Sequence, residues 1–292
     1  MSARTSPPPA EEIASAEGTL VTVCGTGGTG ASTVAAMIAQ AAADRFADRV
    51  CLVDLCLRSS QAVAHHTADV LPCLGDLLDA HSVVSPPAEV VRSLSWDVPS
   101  RGYSLVIGLP RARDWIRLRP FTVSRSLVGV LRAWGFVVAD TDSEVEGEKE
   151  SGSPDIEMRN SLARSAHLHA RANFVVGRAC PMGLQSLVRV LEDLVGLGVP
   201  PERLIPVVNQ APRSSAERSA VTRALAELGP PVNPPLFLSG RARIARAHLD
   251  LSRFPPTECR RLLRVAESVG ARLDTDTVDA PADPDEVTIR TR

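Results

Sequence analysis

The run 21–34 (VTVCGTGGTGASTV) packs four glycines into six residues, between an apolar stretch of strand length and a helix-length amphipathic stretch. A glycine-rich turn at such a junction lets consecutive backbone N–H groups curl toward an anion at the positive end of the helix dipole. The following pair, Ser32-Thr33, has hydroxyls that can cap the helix and reach a phosphate or Mg²⁺. A plain tight turn needs fewer glycines and no hydroxyl pair, so phosphate binding is the stronger reading.

The rest of the chain has to supply a fold around that turn. Apolar runs recur at Leu20–Cys24, Val50–Leu55, Leu105–Ile107, Phe136–Ala139, Asn173–Val176 and Leu204–Val208. Helix-length stretches alternate with them, at Ala31–Arg45, Leu127–Trp134, Gly183–Leu197, Ala216–Leu228 and Pro256–Leu273. Short apolar runs are strands buried on both faces when helices cover them. The alternation therefore predicts an α/β fold, a doubly wound, mainly parallel sheet with helices on both faces. Only ten of the 292 residues are aromatic, so the core is built mainly from Ala, Val and Leu.

Residues 1–17 and 274–292 read as disordered tails, the second acidic, around one domain over 18–273. Ser143–Glu157, with six acidic residues and the only lysine, Lys149, reads as a solvated loop. The net charge of −2 argues against a generally basic nucleic-acid binder. Six cysteines without a C-x-x-C pair fit buried thiols in a reducing cytoplasm. With no signal peptide and no long apolar run, a cytoplasmic protein is expected. His65-His66 and the pair His167 and His169 lack metal-ligand spacing and read as surface histidines.

Two motifs overlay the loop. Gly25-x-Gly27-x-x-Gly30 matches the dinucleotide fingerprint, with Asp54 at the end of the next strand in the place of a ribose-binding acid. Gly25, Gly30 and Ser32 also match the P-loop G-x-x-x-x-G-K-[ST], with Ala31 where the lysine belongs. A reductase built on a GGTG loop needs a Tyr and a Lys close together. Tyr103 and Lys149 are the only ones available, and they are far apart in the chain. Ser32-Thr33 directly after Gly30 suits Mg²⁺–nucleotide chemistry and is not needed by a dinucleotide. These points favour the P-loop and leave an NAD(P)-binding reductase as the minor alternative.

On these residues the chain resembles MinD/ParA-type P-loop ATPases, whose loop reads K-G-G-x-G-K-[ST]-[ST]. The matching stretch is Thr26-Gly27-Gly28-Thr29-Gly30-Ala31-Ser32-Thr33. Both lysines are absent, which is most similar to the atypical CpaE/TadZ-like branch. The resemblance implies that Gly25 to Thr33 cradle the phosphates of ATP or ADP. It implies that Asp54, ending Val50-Cys-Leu-Val-Asp54, stands near Mg²⁺ and the attacking water. Cys56 replaces the family's second acid there. Asp140, ending Phe136-Val-Val-Ala-Asp140, is the Walker B acid, so Ser32, Asp54 and Asp140 form the implied Mg²⁺ set. Pro72-Cys-Leu-Gly-Asp-Leu-Leu-Asp-Ala resembles the helix after the second strand. Asn209 is implied to read the adenine edge, and Pro235 to begin the late segment that closes over the base. The implied partners are a second copy of the chain, as a homodimer through the loop face, and a protein of a localised machinery.

Phosphoryl transfer requires positive charge on the β/γ oxygens in the transition state. Without either P-loop lysine the expected function is a nucleotide-binding scaffold or switch, with little or no hydrolysis, that positions a secretion, pilus, septum or partition assembly. The alternative is an active Mg²⁺-ATPase that draws its charge from Arg58, Arg111, Arg113 or Arg178. Arg241, Arg243 and Arg246 with Arg260, Arg261 and Arg264 read equally as a DNA patch or as solvated faces paired with Glu258 and Glu267. The acidic, proline-containing C-terminus argues against direct membrane binding.

Overall fold

The computed structural model describes residues 18–47, 49–57, 61–65, 71–240 and 242–278, with the backbone alone at 62, 63 and 270–278. Eight strands form one sheet in the order β3-β4-β2-β5-β1-β6-β7-β8. They are β1 (Thr19–Gly25), β2 (Val50–Asp54), β3 (Trp96–Val98), β4 (Tyr103–Val106), β5 (Phe136–Asp140), β6 (Ala172–Arg178), β7 (Leu204–Asn209) and β8 (Leu236–Leu238). Every neighbouring pair is parallel except β3 with β4. The expected doubly wound parallel sheet is the fold observed.

Side chains of a strand alternate between the two faces of its sheet, and β1 shows what each face meets. Val21 and Val23 join a core with helix α1 (Ala31–Phe46) and the C-terminal helix, while Leu20 and Cys24 belong to clusters on the other side. Helix α1 has ten consecutive buried residues, Val34 to Ala43, six of them alanine. A helix buried all round needs small side chains to lie close to both neighbours. Here those neighbours are the sheet and the C-terminal helix.

Helices α2 (Gln61–Ala64), α3 (Leu74–Ala80) and α4 (Ala88–Ser93) separate β2 from β3. Helix α5 (Pro120–Trp134) covers the opposite face from α1. Its amphipathic pattern extends a full two turns before the Leu127 expected from sequence, starting at a proline that suits a first helical turn. The segment expected as a loop over 143–157 is a correction. It contains the single turn α6 (Glu148–Ser151) and the start of helix α7 (Pro154–His169). Acidic side chains favour helix N-termini, and Asp155 and Glu157 lie in the first turn of α7.

The chain continues through α8 (Pro181–Leu197), α9 (Ser215–Leu228), α10 (Ala242–Asp250) and α11 (Pro256–Val278). Helix α11 runs past the expected tail boundary at 274. Residues 1–17 and 279–292 lie outside the described residues, as do Arg58, His66 and Arg241. No helix among the described residues is long and apolar enough to cross a membrane. All six cysteines are free, five of them buried and Cys180 exposed.

Candidate functional site: the loop after β1 and the two strand-end carboxylates

The glycine loop leaves β1 at Gly25 and enters α1 at Ala31. Gly30 is the N-cap in the left-handed conformation, φ 91°, and no side chain caps the helix. Ser32 and Thr33 thus sit inside the first turn and do not cap it, contrary to one of the roles their sequence suggested. An α-helix start without a side-chain cap leaves its first N–H groups directed at an incoming anion. Added Cβ atoms at Gly27 and Gly28 would meet nothing within 4 Å, so the outer rim of the loop is open. Its base is tight, since a Cβ at Gly25 would lie 2.5 Å from Thr29 Oγ1 and from the Val176 carbonyl oxygen. Thr29 is buried, and its hydroxyl has no partner within the protein.

Strand register brings the two acids together. Asp54 and Asp140 are direct partners across β2 and β5, and Val23 of β1 is the partner of Asp140 on its other side. Both carboxylates are buried at the C-terminal ends of parallel strands, where doubly wound sheets hold ligands. The Asp54 carboxylate accepts from the backbone N–H of Cys56 at 3.1 Å and of Gln61 at 3.0 Å. Asp140 accepts from the Gln61 side-chain amide at 2.8 Å, and that amide also reaches the Ser32 carbonyl at 3.2 Å. Ligand atoms of Asp54, Cys56 and Asp140 all lie within 4.8 Å of one another. Burial, and then the negative charge of Asp140, push the Cys56 thiol well above its ordinary pKa. It stays a neutral thiol, leaving a hard oxygen pair of the kind Mg²⁺ prefers. The open loop rim, the orphaned Thr29 hydroxyl and the paired carboxylates beside Ser32 all fit a Mg²⁺–nucleotide.

Of the two residues implied for the base, Asn209 lies beside the loop and Pro235 does not. Asn209 ends β7 next to the loop, but its side-chain amide donates to the Thr29 carbonyl at 2.8 Å and its carbonyl accepts from the Gln210 N–H at 2.8 Å. In this arrangement it braces the loop. A Cβ at Gly30 would lie 2.6 Å from that same amide nitrogen, so the glycine is needed for this contact. Pro235 precedes Leu236, which is in register with Val207, while Leu238 is in register with Asn209. Pro235 therefore stands at the entry of β8, away from the strand ends that carry the loop. Ser239 and Gly240 leave β8 at the loop end instead, with Gly240 against Gln210.

A cavity of about 410 Å³ opens on Gly25, Thr26 and Gly27, and its other walls include Leu57, Arg113, Asp142 and Arg159. Asp142 accepts from the Leu57 N–H at 2.8 Å, tying the segment after β2 to the segment after β5. Of the arginines considered as lysine substitutes, Arg113 lines this cavity. Arg178 donates instead to the Gln210 side chain at 2.9 Å.

Sequence reading missed Gln61, which has no motif around it, and the two buried histidines. His65 bonds to the Gln61 carbonyl at 2.9 Å and to the Tyr103 hydroxyl at 2.8 Å. His167 is fully buried among Thr22, Thr141 and Asn173, at 3.1, 3.0 and 2.9 Å. Both were expected at the surface. A ring nitrogen with a partner on each side is accommodated inside a protein, and such partners come from distant parts of the chain. In the arginine patch, Glu267 pairs with Arg45 and not with Arg260 or Arg264. Arg243, Arg246, Arg260, Arg261 and Arg264 are exposed.

No protein-family model matches the sequence, and no curated protein matches it. Solved structures do match the fold. A ParA family ATPase from Chlorobium tepidum has a TM-score of 0.62 at 13% identity, covering 89% of this chain and 99% of that one. The cell division ATPase MinD from Pyrococcus furiosus has a TM-score of 0.62 at 17% identity, over 87% and 99% of the two chains. The septum site-determining protein MinD from Pyrococcus horikoshii, complexed with Mg-ADP, has a TM-score of 0.58 at 16% identity, over 91% and 99%. The chain has the P-loop fold shared by ParA and MinD ATPases.

Proposed function

We propose that this chain is a MinD/ParA-like protein of the degenerate, CpaE/TadZ-like kind, which binds adenine nucleotide with Mg²⁺ and hydrolyses it little or not at all. The observation that carries the reading is the alignment of three strand ends: the glycine loop after β1, Asp140 on the adjacent β5, and Asp54 on β2 beyond it. The Mg-ADP in the Pyrococcus horikoshii MinD structure supports a nucleotide in a fold of this type. Backbone N–H groups of the loop and first turn would hold the phosphates. Ser32, Asp54 and Asp140 would hold the Mg²⁺, which supplies charge neutralisation at the phosphate oxygens. Ala31 offers no cation at the position where active members carry lysine, hence the low turnover.

The strand order disfavours the dinucleotide alternative. That fold places the second strand beside the first, whereas here β5 lies between β1 and β2. Arg113, lining the cavity beside Gly25 to Gly27, is the observation that keeps an active ATPase as the second reading. The cellular role we propose is that of a homodimeric cytoplasmic scaffold or switch that recruits a protein partner to a localised assembly.

The test is calorimetry with Mg²⁺–ATP, ADP and NADPH, alongside a phosphate-release assay. Adenine nucleotide is expected to bind in preference to NADPH, with release near background. Robust Mg²⁺-dependent hydrolysis that disappears in Ser32→Ala would refute the scaffold reading, and a preference for NADPH would refute nucleotide–Mg²⁺ binding altogether.

A further inference from the structure

Gln61 touches both carboxylates assigned above to the cation, and the backbone of Ser32 beside them. Its backbone N–H donates to Asp54 at 3.0 Å, and its side-chain amide donates to Asp140 at 2.8 Å and to the Ser32 carbonyl at 3.2 Å. The side chain is fully buried. Its orientation is forced, because a carboxylate and a carbonyl both accept, so the NH₂ end must face them. That orientation leaves the amide oxygen, Oε1, buried with no partner. An amide N–H brings only partial positive charge to a carboxylate, so a divalent cation outcompetes it there. Displacement would also relieve the orphaned oxygen.

A buried chain of polar contacts starts from the same residue. The Gln61 carbonyl meets His65 Nδ1 at 2.9 Å, and His65 Nε2 meets the Tyr103 hydroxyl at 2.8 Å. Arg101 donates to that hydroxyl at 3.3 Å, to the Ala247 carbonyl at 2.6 Å and to the Ser252 carbonyl at 3.3 Å. The directions are mutually consistent: His65 donates through Nδ1, which makes Nε2 the acceptor for the Tyr103 O–H, whose oxygen accepts from Arg101. Arg101 is fully buried and lies 4.3 Å from the Phe254 ring centroid, so it is locked to the segment around α10.

We propose that the Gln61 amide stands in for the cation at Asp54 and Asp140, and that its release is passed through His65, Tyr103 and Arg101 to the 247–252 segment. The proposal rests on the Mg²⁺–nucleotide reading and adds to it the residue that senses the cation and the surface that responds. Helix α10 carries exposed Arg243, Arg246 and Leu249, so the response reaches a face open to a partner.

Two measurements test it. First, Mn²⁺ affinity is measured by calorimetry without nucleotide for wild type, Gln61→Ala and the closer-sized Gln61→Leu. Removing the competing amide is expected to tighten Mn²⁺ by about tenfold. Equal or weaker affinity in both variants overturns the stand-in role, and so does absence of Mn²⁺ binding in all three proteins. Second, Tyr103 is the only tyrosine, so biosynthetic 3-fluorotyrosine gives one ¹⁹F resonance in full-length wild type, with no variant required. Mg²⁺ is expected to shift it, and Gln61→Leu to show the shifted position without Mg²⁺. A resonance that ignores a saturating cation refutes the relay. Nucleotide binding, followed separately with ATP in EDTA, reports on the underlying function. If ATP fails to bind while Mn²⁺ tightens in the variants, the functional reading falls and the Gln61 role stands.

Discussion

Gly25, Gly27 and Gly28 belong to one loop, yet alanine at each meets a different physical situation. At Gly25 the new methyl would sit 2.5 Å from the Val176 carbonyl oxygen, which is backbone of the adjacent strand β6, and 2.5 Å from Thr29 Oγ1. Ordinary van der Waals contact begins about 0.9 Å further out, and a strand held in register on both sides does not give way cheaply. Overpacking of this kind costs about 1–3 kcal/mol. Gly28, at φ 77°, has open space around it, so alanine there incurs only the left-handed backbone penalty of about 1 kcal/mol. Gly27 has neither crowding nor positive φ, so Gly27→Ala should stay within about 0.5 kcal/mol of wild type. Urea denaturation followed by circular dichroism should therefore rank the losses Gly25→Ala, Gly28→Ala, Gly27→Ala. In a thermal melt each kcal/mol corresponds to about 2–4 °C for a domain of this size. The reasoning is refuted if Gly27→Ala loses as much stability as Gly25→Ala, or if Gly25→Ala is neutral. ATP titration of the same three proteins separates stability from binding, since the open rim at Gly27 and Gly28 is where a phosphate would approach.

Three further outcomes are expected. Ala31→Lys places a cation at the start of α1, and it should tighten Mg²⁺–ATP by about tenfold in calorimetry; unchanged affinity would mean that the loop does not hold phosphates. Arg101→Met keeps the bulk but leaves the Ala247 and Ser252 carbonyls without their donor, at a cost of about 2–4 kcal/mol. Limited proteolysis should then cut near 247–254, and a wild-type digestion pattern would refute the anchoring role. Burial holds the His167 pKa below its ordinary 6.5, so the folded state binds fewer protons than the unfolded chain just below that pH. Stability should be fully present above about pH 6.5 and fall as the pH drops toward the folded pKa. Burial lowers the His81 pKa too, which adds in the same direction. In denaturation midpoints measured from pH 7.5 to 5, His167→Gln should flatten the decline, and an unchanged slope would argue against the assignment.

The parts of this protein that local chemistry controls were readable from the chain. Four glycines before a Ser-Thr pair mark the tight turn between β1 and α1, where Gly28 and Gly30 adopt the left-handed conformation that glycine takes readily. Apolar runs of strand length, spaced by helix-length segments, announce a parallel sheet because only such a sheet buries both faces of its strands. Asp54 and Asp140 stood out because each ends such a run. Helix α7 was hidden behind its acidic start, since charge density within a short window suggests solvent while the buried face appears only over several turns.

Long-range pairing decided the remainder. That β5 inserts between β1 and β2, separating this fold from a dinucleotide-binding one, is a matter of strand order, and strand order leaves no local mark on sequence. That Asn209 braces the loop, and that Pro235 stands at the wrong end of β8 to meet a nucleotide, follow from register. Gln61 belongs to no motif and gains its role by being folded back onto two strand ends and the first turn of α1. His65 and His167 are inside because their partners lie on other elements. Local sequence specifies which backbone shapes and burial patterns are cheap, whereas the packed sheet determines which distant polar groups must satisfy one another.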